Sequence, residues 1–267
     1  MKNVLAFFIC YVCVGVEGVT AQTNAENDAA KLYQTHTFEL GPAVSYIRYK
    51  ERGLKIDGPV YGFVASYAYH YDLMVKGEFN FNYGKVNYSA STMTGRASGD
   101  NTLNEMWEVR GLGGYDFPLL TSSILTPYIG IGLRYINNDV LPTPQERESY
   151  YLYSPIGIGV MAGLGHGWSI GGMGEYDLFW RGDQNSHPID RIPSLKGDVR
   201  SHQKDGYGVR GSLTLEKKYA KIIVGGGPFL RYWSVDKLSP RFVPYNVLWQ
   251  EPASDSLEAG MMLSVKF

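Results

Sequence analysis

The residues in this sequence that could do chemistry are histidines and their polar neighbours. His187 and Asp190 are close enough in sequence for an imidazole and a carboxylate to act together as a general base. Ser186 precedes His187 and Ser201 precedes His202, which supplies the residue types of a nucleophile and its base. Adjacent residues on an extended chain point in opposite directions, so neither Ser-His dipeptide is itself a catalytic pair.

Metal chemistry has weaker support in the sequence. His70 and His166 are far apart, and no two histidines have the spacing of metal ligands. Asp183, Asp190 and Asp198 fall in one polar stretch but lack the order of a calcium loop. We therefore expect these residues to be solvated, with no catalytic site, no metal and no cofactor.

The elements that position these residues are predicted from an alternation of apolar and polar residues. Such a two-residue period is typical of a strand with one face on lipid and the other on a barrel interior. It is clearest at the C-terminus, where the apolar members are Leu257, Ala259, Met261, Leu263, Val265 and Phe267. Ten strands are predicted, near residues 36–49, 59–71, 73–88, 104–117, 124–136, 151–163, 167–181, 205–217, 221–233 and 256–267.

Connections between these strands alternate in length. Those at Asp72, 118–123, 164–166 and 218–220 are short. The others are long and polar, at 50–58, 87–103, 137–150, 182–204 and 235–255. The alternation predicts an all-β fold, a closed antiparallel transmembrane β-barrel of about ten strands with short periplasmic turns and long extracellular loops.

Aromatic residues near the predicted strand ends favour the same fold, because girdles of Tyr and Trp mark the two membrane interfaces. The residues that we assign to them are Tyr46, Tyr49, Tyr71, Tyr83, Tyr115, Tyr135, Trp168, Trp180, Tyr207, Tyr232 and Trp233.

The face opposite the apolar one carries charges of both signs. They are Glu39, Glu78, Glu108, Arg110, Arg134, Glu175, Asp177, Arg210, Arg231 and Glu258. A ten-stranded barrel is only slightly wider than the eight-stranded type that side chains fill, and buried charges must pair. We therefore expect an interior salt-bridge network and no wide pore. Glycines such as Gly132 and Gly157 would leave room for arginine and aromatic side chains to cross the bore.

The first 21 residues predict export. Lys2 is followed by an apolar stretch and by Val19-Thr20-Ala21, a pattern typical of a cleaved signal peptide. Cys10 and Cys13, which are the two cysteines of the chain, lie in that stretch, so the mature protein would have no disulfide or thiolate metal site. The formal net charge of −1 argues against nucleic acid as a partner. The predicted organisation is a signal peptide at 1–21, a periplasmic segment at 22–35 and the barrel at 36–267.

Several segments of the sequence carry a resemblance to a known family. Residues 125–135 (LTPYIGIGLRY) and the terminal Phe267 resemble the porin-like outer-membrane β-barrel proteins of Gram-negative bacteria. Residues 175–182 and 228–233, with Glu251-Pro252, resemble a poorly characterised group within that class. The resemblance covers essentially all of the mature chain and implies a fold and an outer-membrane location, but no agreed activity.

The last strand also resembles the signal that the barrel assembly machinery reads, through Leu263, Val265 and Phe267. Expected partners are therefore that machinery and periplasmic chaperones during biogenesis, then outer-membrane lipid and lipopolysaccharide. An extracellular ligand of the loops is a further possibility.

Three functions stay open, and the first is expected: a structural or surface-interaction barrel, a narrow channel for small solutes, and a hydrolase at the rim. Omptin-like proteases use paired aspartates facing an Asp and a His, and the early strands here lack an Asp-x-Asp pair. A barrel lipase or lipid A deacylase would need a Ser or Asp within hydrogen-bond reach of His187 or His202.

Overall fold

Most of the described residues from His36 to Lys266 form β-strands. The computed structural model describes residues 32–92, 95–120, 122–140, 145–187, 199–239, 241–243, 247–249 and 251–267. The strands in these residues are β1 (His36–Glu51), β2 (Leu54–Tyr71), β3 (Leu73–Thr92), β4 (Gly95–Tyr115), β5 (Phe117–Leu120), β6 (Ser123–Val140), β7 (Gln145–Gly165), β8 (Trp168–His187), β9 (Val199–Gln203), β10 (Gly206–Tyr219), β11 (Ile222–Val235), β12 (Arg241–Val243), β13 (Val247–Trp249) and β14 (Ser254–Lys266).

Ten of these strands form a closed antiparallel barrel, which confirms the predicted fold. Their order around the wall is β1, β2, β3, β4, β6, β7, β8, β10, β11 and β14, and β14 pairs with β1 to close the sheet. The closing seam extends to the last residue, because the Phe38 N–H donates to the Phe267 carbonyl at 2.8 Å. Closure leaves no unpaired edge in the wall. Within the described residues no helix is long and apolar enough to cross a membrane.

The two ends of the barrel differ. At the turn end, β2 and β3 are joined by Asp72 alone, and β7 and β8 are joined by His166 and Gly167. Asp72 and His166 both have positive φ angles, of 56° and 51°, as tight reversals require. The turn end also contains the start of β1, at His36, and the end of β14, at Lys266. The opposite end, where β8 leads to β9 and β11 leads to β12, is called the loop end.

At the loop end, several segments predicted as long loops are strands. β1 and β2 are joined only by Arg52 and Gly53, and Gly53 takes a φ of 79° in that tight turn. β3 continues to Thr92 and β4 begins at Gly95. The predicted connections at 50–58 and 87–103 are therefore wrong. Beyond the lipid a strand keeps its backbone hydrogen bonds but needs no apolar face, so the alternation that marks it in the sequence disappears.

An apolar belt surrounds the outside of the barrel. Each of the ten strands contributes exposed apolar side chains to it, such as Val109 in β4, Ile131 in β6 and Leu263 in β14. On β3 these outward residues extend from Leu73 to Tyr83 and then give way to polar residues. That span of 11 residues matches the roughly 9–11 residues that a tilted strand needs to cross a bilayer.

Most of the predicted girdle aromatics face outward. Trp168 and Trp180, for example, are 43% and 51% exposed. Two predictions were wrong, because Trp233 is buried and Tyr49 packs against the buried interior. Trp233 lies two residues from Arg231, so strand alternation places both in the lumen, and its neighbour Tyr232 faces out.

Glycines make room for rings inside the barrel, as the sequence predicted. A Cβ added at Gly132 would lie 2.2 Å from Cζ of Tyr153, and one at Gly157 would lie 2.5 Å from Cζ of Tyr128. Tyr153 has little freedom to retreat, because it is fully buried and its hydroxyl donates to Glu108 at 2.7 Å.

Gly132→Ala should therefore lower the free energy of unfolding by about 1–3 kcal/mol, the usual range for overpacking. Gly111→Ala is the matched control, since nothing lies within 4 Å of a Cβ added there. We expect that change to be neutral or slightly stabilising. Urea unfolding of both variants in the same detergent checks the prediction, and equal losses at the two positions would contradict it.

Candidate functional site in the barrel lumen

The centre of the lumen is a network of two arginines and their carboxylates. Arg210, on β10, donates from Nε to Asp177 at 2.8 Å and from Nη2 to Glu108 at 2.6 Å. Arg110, on β4, donates from Nε to Glu78 at 2.7 Å and from Nη1 to Glu175 at 2.5 Å. The Nε of Arg210 also lies 2.9 Å from Glu175, which joins the two halves.

Other residues assigned to the lumen by alternation contact one another less closely. Arg231 Nη1 lies 3.5 Å from Glu258, which also accepts a hydrogen bond from Ser45 at 2.9 Å. Glu39 lies 4.0 Å from Lys266. The structure thus brings most of the ten predicted lumen charges into ion pairs with each other or with neighbouring lysines.

Arg134 is the exception among the ten. It is buried, but none of the described carboxylates lies within ion-pair distance of it. Its Nη2 lies 3.6 Å from the sulfur of Met106, and its guanidinium lies 5.6 Å from the ring centroid of Trp233. It therefore belongs to the lumen but not to the charge network.

Alternation could have found three further lumen charges. Lys76 lies two residues before Glu78 and pairs with it at 2.6 Å. Lys266 and Glu216 pair at 2.5 Å. Each lies an even number of positions after a predicted lumen charge on its own strand, Lys266 after Glu258 and Glu216 after Arg210, so alternation places both in the lumen. The sequence analysis missed these three charges because they lie near the ends of their strands.

Above the network, towards the loop end, a set of buried apolar side chains packs together inside the bore. This lumen cluster consists of Ile47, Ile56, Val60, Val86, Met106, Ile136, Tyr151, Tyr153, Phe179, Trp233 and Val235. Eight of the ten barrel strands contribute to it. The rings of Tyr153 and Trp233 meet edge to face, with centroids 4.9 Å apart. The members of the lumen cluster therefore reach into the bore from most of the circumference of the wall.

A layer of polar side chains lies above that cluster. Glu251, from the segment between β13 and β14, is only 2% exposed. It accepts from Arg147 at 3.2 Å and from Gln184 at 2.9 Å, and Arg147 also pairs with Glu51 at 2.7 Å. The segment that leads into β14 is thus anchored across the loop end.

Below the network, towards the turn end, lies a cavity of about 270 Å³. At its mouth, His70 contacts Asp116 at 2.7 Å, and Thr126 donates to Asp116 at 2.5 Å. The ring of Tyr33 stacks on His70 with centroids 4.1 Å apart. His70 therefore faces the lumen at the turn end.

Of the two histidines that the sequence offered for rim chemistry, His202 lies on the outer wall. His202 contacts Asp183 and Arg181, and all three are largely exposed. The adjacent Ser201 points inward and donates to Glu251 at 3.3 Å, as strand geometry requires. The pairing of β8 with β7 shifts its register opposite Leu152 and Tyr153. Beyond this shift the residues of β8 that face the lumen alternate in the opposite sense, so Asp183 faces outward although Asp177 faces inward.

Asp183 is held in its ionised form. Burial slightly opposes ionisation, but hydrogen bonds from His202 and Arg181 lower the pKa of the Asp183 carboxyl. Asp190 and Asp198 lie outside the described residues, as does the side chain of His187. In the parts of the chain that the structure describes, no three His, Cys, Asp or Glu side chains form a group that could hold a metal ion.

The residues predicted as an assembly signal lie on the outer face of the closing strand. Leu263, Val265 and Phe267 are all exposed, and the Phe267 N–H donates to the Phe38 carbonyl at 3.0 Å. They form part of the apolar belt at the turn end.

No protein-family model and no curated protein matches the chain. Among solved structures, the chain is similar to the outer membrane protease OmpT from Escherichia coli, with a TM-score of 0.64, 10% identity, and coverage of 87% of this chain and 96% of that one. It is also similar to the translocator domain of the autotransporter NalP from Neisseria meningitidis, with a TM-score of 0.45, 9% identity, and coverage of 92% and 94%. The likeness to OmpT shows a shared fold, that of the outer-membrane β-barrels.

Proposed function

We propose that this chain is an integral outer-membrane barrel that is closed to solutes and acts through its projecting loop end. The observation that carries the proposal is the lumen cluster, whose buried side chains come from eight of the ten barrel strands. We infer that these side chains fill the bore between the polar layer at the loop end and the cavity at the turn end. An apolar constriction without room for water blocks ions, because they would have to shed their hydration there.

Placement in a membrane is supported by the apolar belt. A soluble monomer rarely exposes more than a few hundred Å² of contiguous apolar surface, whereas this belt includes all ten strands of the wall. The closed barrel meets the other requirement of a membrane span, since no backbone edge of its wall is left unpaired. Outer-membrane barrels place their short turns in the periplasm, so the turn end would face the periplasm and the loop end the outside.

The strands are longer than the membrane requires, and this favours a role at the surface. β4 and β7 each have 21 residues, about twice the number needed to cross a bilayer. The excess lies at the loop end, where outward residues on β3 such as Lys85 and Asn87 are polar. Such a projecting wall offers a rigid surface for lipopolysaccharide headgroups or an extracellular ligand.

A non-catalytic role accords with the position of the described rim histidine. His202 lies on the outer wall, and its described contacts are a carboxylate and a guanidinium. A Ser or Thr nucleophile would have to lie within hydrogen-bond reach of such a base, and Ser201 points the other way. Biogenesis through the barrel assembly machinery and a cleaved signal peptide forms part of the same proposal.

The wild-type protein in a planar bilayer should show no steady single-channel conductance. The reason is the lumen cluster, reinforced by the anchored segment that carries Glu251. A water-filled porin inserted in the same bilayer verifies that insertion is detected. Steady conductance steps from the wild-type chain would contradict the proposal and favour the alternative, a narrow channel for small solutes.

A further inference from the structure

The cavity at the turn end has both an apolar and a charged wall. Its apolar side chains include Met74, Leu112, Met161, Ile223 and Phe229. Its charged side chains are Lys76, Arg110, Arg210, Arg231 and Lys266 on the basic side, and Glu39, Glu78 and Glu216 on the acidic side. Small-molecule pockets typically combine an apolar wall with a few convergent polar groups, in volumes that begin at roughly 300 Å³. A cavity of about 270 Å³ suits a small ligand.

The bases reach the cavity more than the acids do. Lys76, Lys266 and Arg231 keep 28%, 18% and 15% of their side-chain surface exposed, whereas the three lining acids keep 13% or less. Arg110 and Arg210 are nearly covered, because carboxylates behind them take up their donors. The most exposed charged groups of the lining are therefore cationic, and the lining has five bases against three acids.

Among the bases that line the cavity, Arg231 is the one whose nearest polar partner lies farthest away. Its contacts with Glu258 and Asn80 are 3.5 Å and 3.3 Å long, whereas charge-assisted hydrogen bonds are usually about 2.7–2.9 Å. Its guanidinium lies over the ring of Phe229, 4.9 Å from the centroid. An anion at this point would gain good hydrogen bonds at the expense of one long contact to Glu258, with an aromatic surface beside it.

The cavity lies on the turn-end side of the lumen cluster, and Tyr33 and Gln34 are among the residues that line it. We propose that this half of the lumen is a binding site for a small organic anion with an apolar body, its carboxylate or phosphate held by Arg231 and its body against Phe229 and the other apolar side chains of the lining.

Phenyl phosphate is a suitable probe, because it joins a small apolar ring to a phosphate. Calorimetric titration of the whole chain in a nonionic detergent should show one phenyl phosphate bound per barrel. Inorganic phosphate should bind more weakly because it lacks the ring, and benzyl alcohol should bind more weakly because it lacks the charge. The proposal is wrong if the wild type does not bind phenyl phosphate, or binds benzyl alcohol equally well.

Two variants with matched controls locate the site. Arg231→Gln should weaken phenyl phosphate binding by roughly tenfold or more, the effect of losing a charged hydrogen bond. Arg181→Gln, on the outer wall, should have no effect. Ser212→Trp, which fills the cavity without removing a charge, should abolish binding, whereas Leu213→Trp on the lipid side should not.

Heat-modifiable migration on gels shows that each variant is folded. Phenyl phosphate binding that survives Ser212→Trp in a folded barrel would overturn the proposal. Conductance and binding are separate readouts, so a conducting wild type would refute the closed barrel but would not alter the result of the titration.

Discussion

Replacing Arg210 with alanine should lower the free energy of unfolding of the barrel by about 3–5 kcal/mol, the usual cost of removing one partner of a buried ion pair. The loss should fall in the upper part of that range, because this guanidinium contacts three carboxylates, Glu108, Glu175 and Asp177. All three are at most 5% exposed, so water cannot replace the missing cation without entering the lumen.

Arg210→Lys tests whether geometry matters beyond charge. The guanidinium uses Nε, Nη1 and Nη2 at once, towards Asp177 and Glu108. An ammonium group is a compact point charge and cannot span these acceptors in the same planar arrangement. We expect the free energy of unfolding of this variant to lie between that of Arg210→Ala and that of the wild type.

Arg181→Ala is the matched control for this pair of variants. Arg181 pairs with Asp183 on the outer wall, where its side chain is 57% exposed. Exposed pairs contribute little, so the change should stay within about 0.5 kcal/mol. Urea unfolding and refolding in the same detergent measures all three. Comparable losses for Arg210→Ala and Arg181→Ala would show that the lumen network does not stabilise the barrel.

The sequence predicts the part of this fold that faces lipid better than the part that faces water. The period of two was visible from Leu257 to Phe267 because one face of β14 had to be apolar. The sequence at the ends of β3 and β4, near Thr92 and Gly95, consists mostly of small and polar residues, so nothing in the local pattern distinguished strand from loop. Backbone pairing, and not side-chain pattern, determines the structure there.

The lumen illustrates a second limit of sequence analysis. Alternation shows which side chains face inward, so it places Arg110, Glu175 and Arg210 together, but it cannot show which strands face each other across the bore. The contact between Arg210 and Glu108, 102 positions apart, depends on closure of the whole sheet. The same closure brings Glu251 into the polar layer, although it precedes the last strand and belongs to no alternating pattern.

The lumen cluster was missed for a related reason. In the sequence, Trp233 and Tyr151 look like girdle or wall residues, because each lies near a strand end. Along each strand, the residue two positions beyond a lumen charge is often apolar: Met106 beyond Glu108, Ile136 beyond Arg134, and Phe179 beyond Asp177 on their respective strands. That repeated switch from charged to apolar residues on the inward face was the signal of the lumen cluster.

Opening the lumen cluster should change a silent barrel into a conducting one. In the double variant Tyr151→Ala, Trp233→Ala, two of the rings that span the bore are lost, and the remaining cluster residues cannot close the gap without moving the wall strands. A wider constriction can fill with water, and the cavity below and the polar layer above are both lined by groups that water can solvate. We expect discrete conductance steps in a planar bilayer, with no such steps from the wild type.

Tyr176→Ala, Trp180→Ala is the matched control, because it removes the same two ring types from the lipid side, where they are 45% and 51% exposed. This control should stay silent, which separates loss of the constriction from general leakiness of a weakened wall. Removing a buried Trp costs about 3–5 kcal/mol, so heat-modifiable migration must show that the lumen variant is still folded. A folded but silent lumen variant would mean that the ion pairs of the network, or the segment held by Glu251, close the bore without the lumen cluster. Conductance that appears in both variants would mean that the wall, and not the lumen cluster, forms the barrier.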